Sequence, residues 1–299
     1  GLSVPVSLLN RLRRDTLAEL ESERGKLSPV PFTRCKIPEG ESPIDSCGKL
    51  RARFAHAGQV PENAAACDLV YLPLGEPEED FLSLLKRGLP VAAELPRGLF
   101  GRENWARGRL RSLKELGIRH CWAGNLGAAA LGKEEGFLVH GGFSLNIFNT
   151  PALEWYREFG LEDTELSFEL TLQQAASLGG SLPRGLVVYG RLPLMLCRNC
   201  PAKNGAGCQS CTSIPELTDR KGMRFPIQCD GGCSEVLNSV PLFLADRMKE
   251  IHGQNFTVLR FTVENSVESG EILEAYRRPG STWKPHGGFT RGLYYRGVK

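Results

Sequence analysis

The chain of 299 residues has no long apolar run, and no stretch approaches the roughly 18 consecutive apolar residues of a membrane span. It has almost no net charge: 37 Lys+Arg against 34 Asp+Glu leave +3, so no global field demands a polyanionic partner. Neither G-x-G-x-x-G nor G-x-x-x-x-G-K-[ST] follows the early strands, which removes support for the usual nucleotide-binding sheet. H-E-x-x-H and G-x-S-x-G are absent as well, so zinc-protease and serine-hydrolase readings have no motif behind them. The five histidines (His56, His120, His140, His252, His286) show no nucleophile–base spacing. No cationic leader with an apolar core opens the chain, and the expectation is a cytoplasmic protein. The chain starts Gly1-Leu2-Ser3 without Met, which reads as a piece of a longer protein. What is present, 41% apolar and 24% charged residues, is ordinary globular composition and excludes a disordered tail, a collagen-like polymer or a coiled coil.

Cysteine is the abundant exception. Four of the ten are scattered (Cys35, Cys47, Cys67, Cys121) and six crowd between 197 and 233: Cys197, Cys200, Cys208, Cys211, Cys229 and Cys233. A disulfide scaffold belongs to small secreted chains, so this density points to metal. Cys197/Cys200 and Cys208/Cys211 are C-x2-C pairs, with Pro201, Gly205 and Gly207 turning the chain between them. Two such pairs suit tetrahedral zinc, and four thiolates on a loop-rich segment suit an iron–sulfur cluster. Spacing leaves both open. Cys67 and Cys121 sit in strand-like runs and are expected to pack in the core.

Residues 5–24 read as a helix, with Pro5 in its first turn, a leucine side and Gly25 as its stop. Residues 26–66 read as an irregular connector with a strand near 33–37. From 67 a strand–helix rhythm sets in, with strands at 69–72, 90–95, 118–123, 137–140, 164–168, 186–189 and 256–263. Helices fall at 77–87, 103–116, 127–135, 151–159, 171–178, 241–251 and 267–277. Alternation every 20–30 residues means parallel βα units. The fold expected is α/β, a (β/α)8 TIM-type barrel with irregularities, over 67–299. A Cys-rich metal-binding lobe at 197–233 leaves one strand end, and 1–66 forms an N-terminal helix and connector. Barrel chemistry gathers at the C-terminal strand ends. That rule selects Glu94, Asn125, His140, Glu169, Tyr189, Arg191 and Glu264.

Several segments then resemble peptidase family U32, the collagenase-like proteins. They are Phe143-Ser-Leu-Asn146-Ile-Phe-Asn149, Ser167-Phe-Glu169-Leu170 and Tyr189-Gly-Arg191-Leu-Pro-Leu-Met195. The pattern continues with Asn199-Cys200-Pro, Cys208-x2-Cys211 and Phe225-Pro-x-x-Cys229, then Leu237-Asn-Ser239, Phe261-Thr-x-Glu264 and Thr290-Arg-Gly-Leu-Tyr-Tyr-Arg-Gly297. The likeness is good over 137–299 and loose before it. Residues 5–14 are similar to an internal stretch of long members, so the chain reads as their C-terminal part, with a missing N-terminal half or a partner subunit as a candidate partner. The resemblance implies a TIM-type barrel and a [4Fe–4S] cluster on Cys200, Cys208, Cys211 and Cys229. It also implies oxygen-independent hydroxylation of an RNA base or a similar aromatic substrate, with prephenate or a similar small organic acid as oxygen source. Cys197 and Cys233 are additional to the family pattern.

Within this reading Glu169 is the expected acid–base group, a partly buried carboxylate at a strand end. Arg191 would hold a carboxylate or phosphate bidentately, and His140 is a further catalytic candidate. Asn146, Asn149, Tyr189, Asn238, Glu264 and Arg291 are the substrate-binding candidates; Asn146, Asn149 and Asn238 have helix capping as their alternative role, with Asn238 or Ser239 placed to cap the helix from Pro241. Two basic stretches, the second interleaved with aromatics, are candidates for an RNA path. One is Arg102, Arg107, Arg109, Arg111, Lys114 and Arg119; the other is the tail from Tyr276 to Arg296. The alternatives are a peptidase, as the family label says, and a zinc-stabilised binding module without catalysis.

Overall fold

Eight short parallel strands lie side by side, and the last closes on the first. In this computed structural model residues 3–33, 48–203, 214–230, 232–278 and 280–298 are described. The barrel strands are β1 (Lys49–Arg53), β2 (Leu69–Pro73), β3 (Val91–Glu94), β4 (His120–Ala123), β5 (Leu138–Gly141), β6 (Asp163–Glu165), β7 (Arg184–Gly190) and β13 (Phe256–Arg260). Their order is β1 to β7 in sequence, then β13, which pairs with both β7 and β1. The chain is a TIM-type (β/α)8 barrel.

Helices α2 (Glu78–Lys86), α3 (Glu103–Glu115), α4 (Leu126–Glu134), α5 (Thr150–Phe159) and α6 (Leu172–Ser177) each follow a strand, and α7 (Ser266–Arg277) follows β13. Their starts are written in the sequence. Asn125 and Asn149 each accept the backbone N–H three residues on, and Asn265 with Glu268 makes a capping box. The remaining helix, α1 (Val6–Gly25), belongs to a separate compact unit, residues 1–37.

The structure departs from the expected organisation in two places. The barrel begins inside the presumed connector, at β1. Lys49-Leu-Arg-Ala-Arg53 carries charge at every second position, so it has no apolar run to betray it. Where a helix was expected over 241–251, a two-residue strand β12 (Leu242–Phe243) pairs antiparallel with the end of β7, and only a 3-10 turn at 245–250 follows. Phe243 is held there by Tyr276, Trp283 and Phe289, tertiary contacts that override local helix preference. After β7, where a Cys-bearing segment was expected to leave the barrel, no helix follows. The chain instead forms an antiparallel sheet, in the order β8 (Pro193–Cys197), β11 (Cys233–Leu237), β10 (Arg224–Asp230), β9 (Glu216–Thr218).

Candidate functional site

TIM-barrel interiors are usually layers of Val, Ile and Leu. This one is charged. Alternate residues of a strand face the same side, so β1 turns both Arg51 and Arg53 inward, β4 both His120 and Trp122, and β6 both Asp163 and Glu165. The lower layer, at the level of the strand starts, is a relay. Arg51 grips Asp163 through two bonds of 2.7 and 2.6 Å and reaches the Tyr71 hydroxyl at 2.9 Å. His140 Nδ1 meets Asp163 at 2.9 Å, and its Nε2 meets His120 Nδ1 at 2.9 Å. Burial pushes the Asp163 carboxyl upward, but Arg51 and His140 outweigh it and hold it at about 2. Burial, and then His140, lower the His120 imidazole below its ordinary value.

The upper layer, at the C-terminal strand ends, has the makings of a site. Glu94 accepts from Arg53 Nε at 2.6 Å and from Arg260 Nη2 at 3.2 Å. Burial alone would raise Glu94, yet the two guanidiniums keep it below the usual carboxylate range. Glu165 has no such partner. It accepts from Trp122 Nε1 at 2.8 Å and from the Phe143 N–H at 3.1 Å, and burial drives its carboxyl upward against the pull of Arg260. Arg260 is 4% exposed and lies over the rings of Trp122 and Phe143, with centroids at 5.4 and 4.9 Å. Its Nη1 is buried and meets no acceptor among the described residues. Two guanidiniums therefore face one ionised carboxylate and one carboxyl held toward its neutral form. An unpaired buried donor of this kind is costly unless something accepts from it.

Two glycines let this layer pack closely. A Cβ on Gly142 would lie 1.9 Å from the Trp122 ring, and one on Gly190 (φ +124°) would lie 2.2 Å from the Arg260 carbonyl. The first lets the indole lie flat against β5, and the second lets β7 close on β13.

The antiparallel sheet roofs this layer. Gln228 on β10 accepts from Arg53 at 3.2 Å, Glu235 on β11 pairs with Arg97 at 2.7 Å, and the Cys233 thiol donates to the Gly98 carbonyl at 3.4 Å. Gln228 and Glu235 are register partners, so they share the face toward the barrel. Cys229, one residue on, lies on the opposite face beside Ser234, and Cys197 flanks Ser234 from β8. The Ser234 hydroxyl donates to the Asn199 carbonyl at 3.3 Å, which brings the turn carrying Cys200 to the same place. Cys197 and Cys229 are thus the register neighbours of Ser234, and Cys200 follows the residue that Ser234 bonds. Cys208 and Cys211 lie outside the described residues. Among the described residues no group of three or more His, Cys, Asp or Glu is arranged to hold a metal ion.

The expected site residues disperse. Glu169 is exposed in the turn after β6 instead of partly buried; the inward carboxylate of that strand is Glu165. Arg191 is bonded to the Asn238 and Ser239 carbonyls, which ties β7 to the segment before β12. That also uses the Asn238 backbone, and no helix follows for it to cap. His140 is buried in the lower layer, not at the mouth. Asn149 caps α5, and Asn146 (φ +52°) ends a 3-10 turn and accepts from Ser167 at 2.7 Å. Tyr189 donates to Glu264 at 2.9 Å, and Glu264 also accepts the Thr262 and Val263 N–H groups, a buried brace under the roof strands. Arg291 pairs bidentately with Asp246. Cys67 and Cys121 are buried, and burial pushes the Cys67 thiol up to about 12, as core packing requires. Arg53, Trp122, Glu165 and Arg260 of the upper layer were not singled out from sequence. Alternation of charge within short strands was the signal for them.

No family model matches the chain, and no curated protein matches it. Among solved structures it is similar to one described as a U32 peptidase, at 11% identity over 81% of this chain and 100% of that chain, with a TM-score of 0.46. No described helix is long and apolar enough to cross a membrane.

Proposed function

We propose that this chain is an iron–sulfur protein of the U32 kind that hydroxylates an RNA base or a similar aromatic ring without dioxygen. The observation carrying this reading is the charged upper layer, with its unpaired Arg260 donor, beside a sheet that bears Cys197, Cys229 and Cys233. Cys200, Cys208, Cys211 and Cys229 would hold a [4Fe–4S] cluster, and the all-thiolate donor set on a turn-rich segment suits one. The cluster would supply electron transfer. Because Cys229 is on the outer face of the roof, the protein's own side chains are what face the substrate.

Arg260 and Arg53 would receive the carboxylate of a small organic acid such as prephenate, the oxygen source, through charge-assisted bonds. Trp122 and Phe143 offer faces for an aromatic ring. Glu165, held toward its neutral form among them, is the group placed to give or take a proton. The roof keeps water out, which strengthens each of these interactions. A serine- or cysteine-type peptidase finds no support among the described residues. Among the described residues the His–carboxylate contact is His140–Asp163, and the other ring nitrogen of His140 meets His120 instead of a hydroxyl or thiol.

The test is iron and acid-labile sulfide on protein made and purified without oxygen. About four of each per chain are expected, with loss of both in Cys200→Ser and Cys229→Ser. Stoichiometric zinc without sulfide would refute the proposal.

A further inference from the structure

The α3 part of the basic stretch that was a candidate for an RNA path is neutralised. Arg107 pairs with Glu134 and Glu135, Arg109 with Glu78 and Arg111 with Glu135, while Lys114 donates to the Glu135 carbonyl. Two other arginines behave differently. Arg102, before α3, lies over the Trp105 ring at 3.9 Å, and Arg198, in the turn after β8, lies over Phe100 at 5.3 Å. Neither guanidinium has an ion-pair or hydrogen-bond partner among the described residues. The strain is also here. Phe100 has φ +44°, a left-handed backbone that a bulky side chain rarely adopts, and its ring is 55% exposed. A large apolar ring held outward at a backbone cost, under a cation, is what a stacking partner needs.

Phe100 also borders a cleft of about 440 Å³, lined further by Gly98, Asn125, Arg97, Glu103 and the Arg107–Glu134 pair. That volume suits a nucleoside-sized group. Arg97 links the cleft to the upper layer, since it pairs with Glu235 of the roof and lies over Phe143 at 5.2 Å. Gly232 of the roof lies beside Arg102, 3.5 Å from where its Cβ would be. Barrel loop and roof edge therefore form one surface around the cleft's entrance.

We infer that Phe100, Trp105, Arg102 and Arg198 form a platform for single-stranded RNA, on which bases stack and backbone phosphates meet the two arginines, beside the cleft that Phe100 borders. This rests on the RNA reading above and names the residues that hold the strand. Rings interleaved with unpaired cations match a polyanion whose every unit has a π face. An acidic protein segment would use the cations and leave the rings idle.

The test is fluorescence anisotropy of a short labelled single-stranded RNA with the full chain, over a range of salt. Phe100→Ala is expected to weaken binding roughly tenfold. Arg102→Gln and Arg198→Gln should each weaken it and each lower the slope of log affinity against log salt by about 0.7. Arg109→Gln, which removes a paired cation, should bind as wild type. No RNA binding by wild type, or unchanged binding by Phe100→Ala with heparin bound as tightly as RNA, would overturn the inference. Iron content of the same samples separates the two claims. The expected RNA losses in protein that never holds iron support the platform and refute the iron–sulfur reading; iron-replete protein indifferent to Phe100→Ala does the reverse.

Discussion

Glu94 and Glu165 are buried carboxylates in the same layer of the barrel, and their surroundings drive them in opposite directions. Glu94 lies between two guanidiniums; Glu165 has only an indole N–H and a backbone N–H. A carboxyl whose folded value is raised stabilises the fold below its unfolded value and loses that contribution as pH rises through the folded one. The melting-temperature difference between Glu165→Gln and wild type should therefore move in the variant's favour from about pH 4 to about pH 8, in a thermal-unfolding series. A constant difference would place the Glu165 titration elsewhere. His120 runs the other way: its lowered value gives stability that is present above the unfolded value, near 6.5, and is lost as pH falls. Wild type should lose melting temperature between about pH 7.5 and pH 5.5, and His120→Gln should lose less. Arg53→Ala leaves Glu94 with one distant partner and should cost about 3–5 kcal/mol in denaturant unfolding, as broken buried pairs do. At this scale the sequence was least legible. Glu94 and His140 stood out as strand-end residues, but Arg53, Glu165 and Arg260 were hidden because the strands were sought as apolar runs. Five-residue strands such as Lys49–Arg53 spend their inward positions on charge.

Elements were more legible, because caps and periodicity are local. Asn125, Asn149 and Asn265 mark helix starts in the structure as short polar residues do in sequence. Strand β12 and the roof sheet were not legible, since they exist through partners far along the chain: β12 through Gly190 and Tyr189, the roof through Arg53 and Arg97. The fit of Trp122 against β5 is a property of elements in contact, and it can be tested there. Gly142→Ala places a methyl group into the indole, so stability should fall by about 1–3 kcal/mol as in overpacked cores. Intrinsic tryptophan fluorescence should shift with it. Unchanged stability and emission would mean that β5 and the indole separate freely.

For the whole molecule, strand–helix alternation was enough to expect a (β/α)8 barrel, because parallel strands joined by helices have few ways to bury both faces. Its location was less legible, and β1 was missed. Of the six crowded thiols, Cys197, Cys229 and Cys233 fall on the antiparallel sheet that bonds to the charged layer through Arg53 and Arg97, which joins the two halves of the account. The link between them is tested most directly by Arg260→Met in protein produced without oxygen. Nucleosides from RNA of cells making wild type or variant would be compared by mass spectrometry, with iron measured in both proteins. The account predicts a base that gains one oxygen atom with wild type, and about a hundredfold less of it with Arg260→Met at equal iron content. Equal yields from the two proteins, or no oxygen-bearing base from iron-replete wild type, would contradict it.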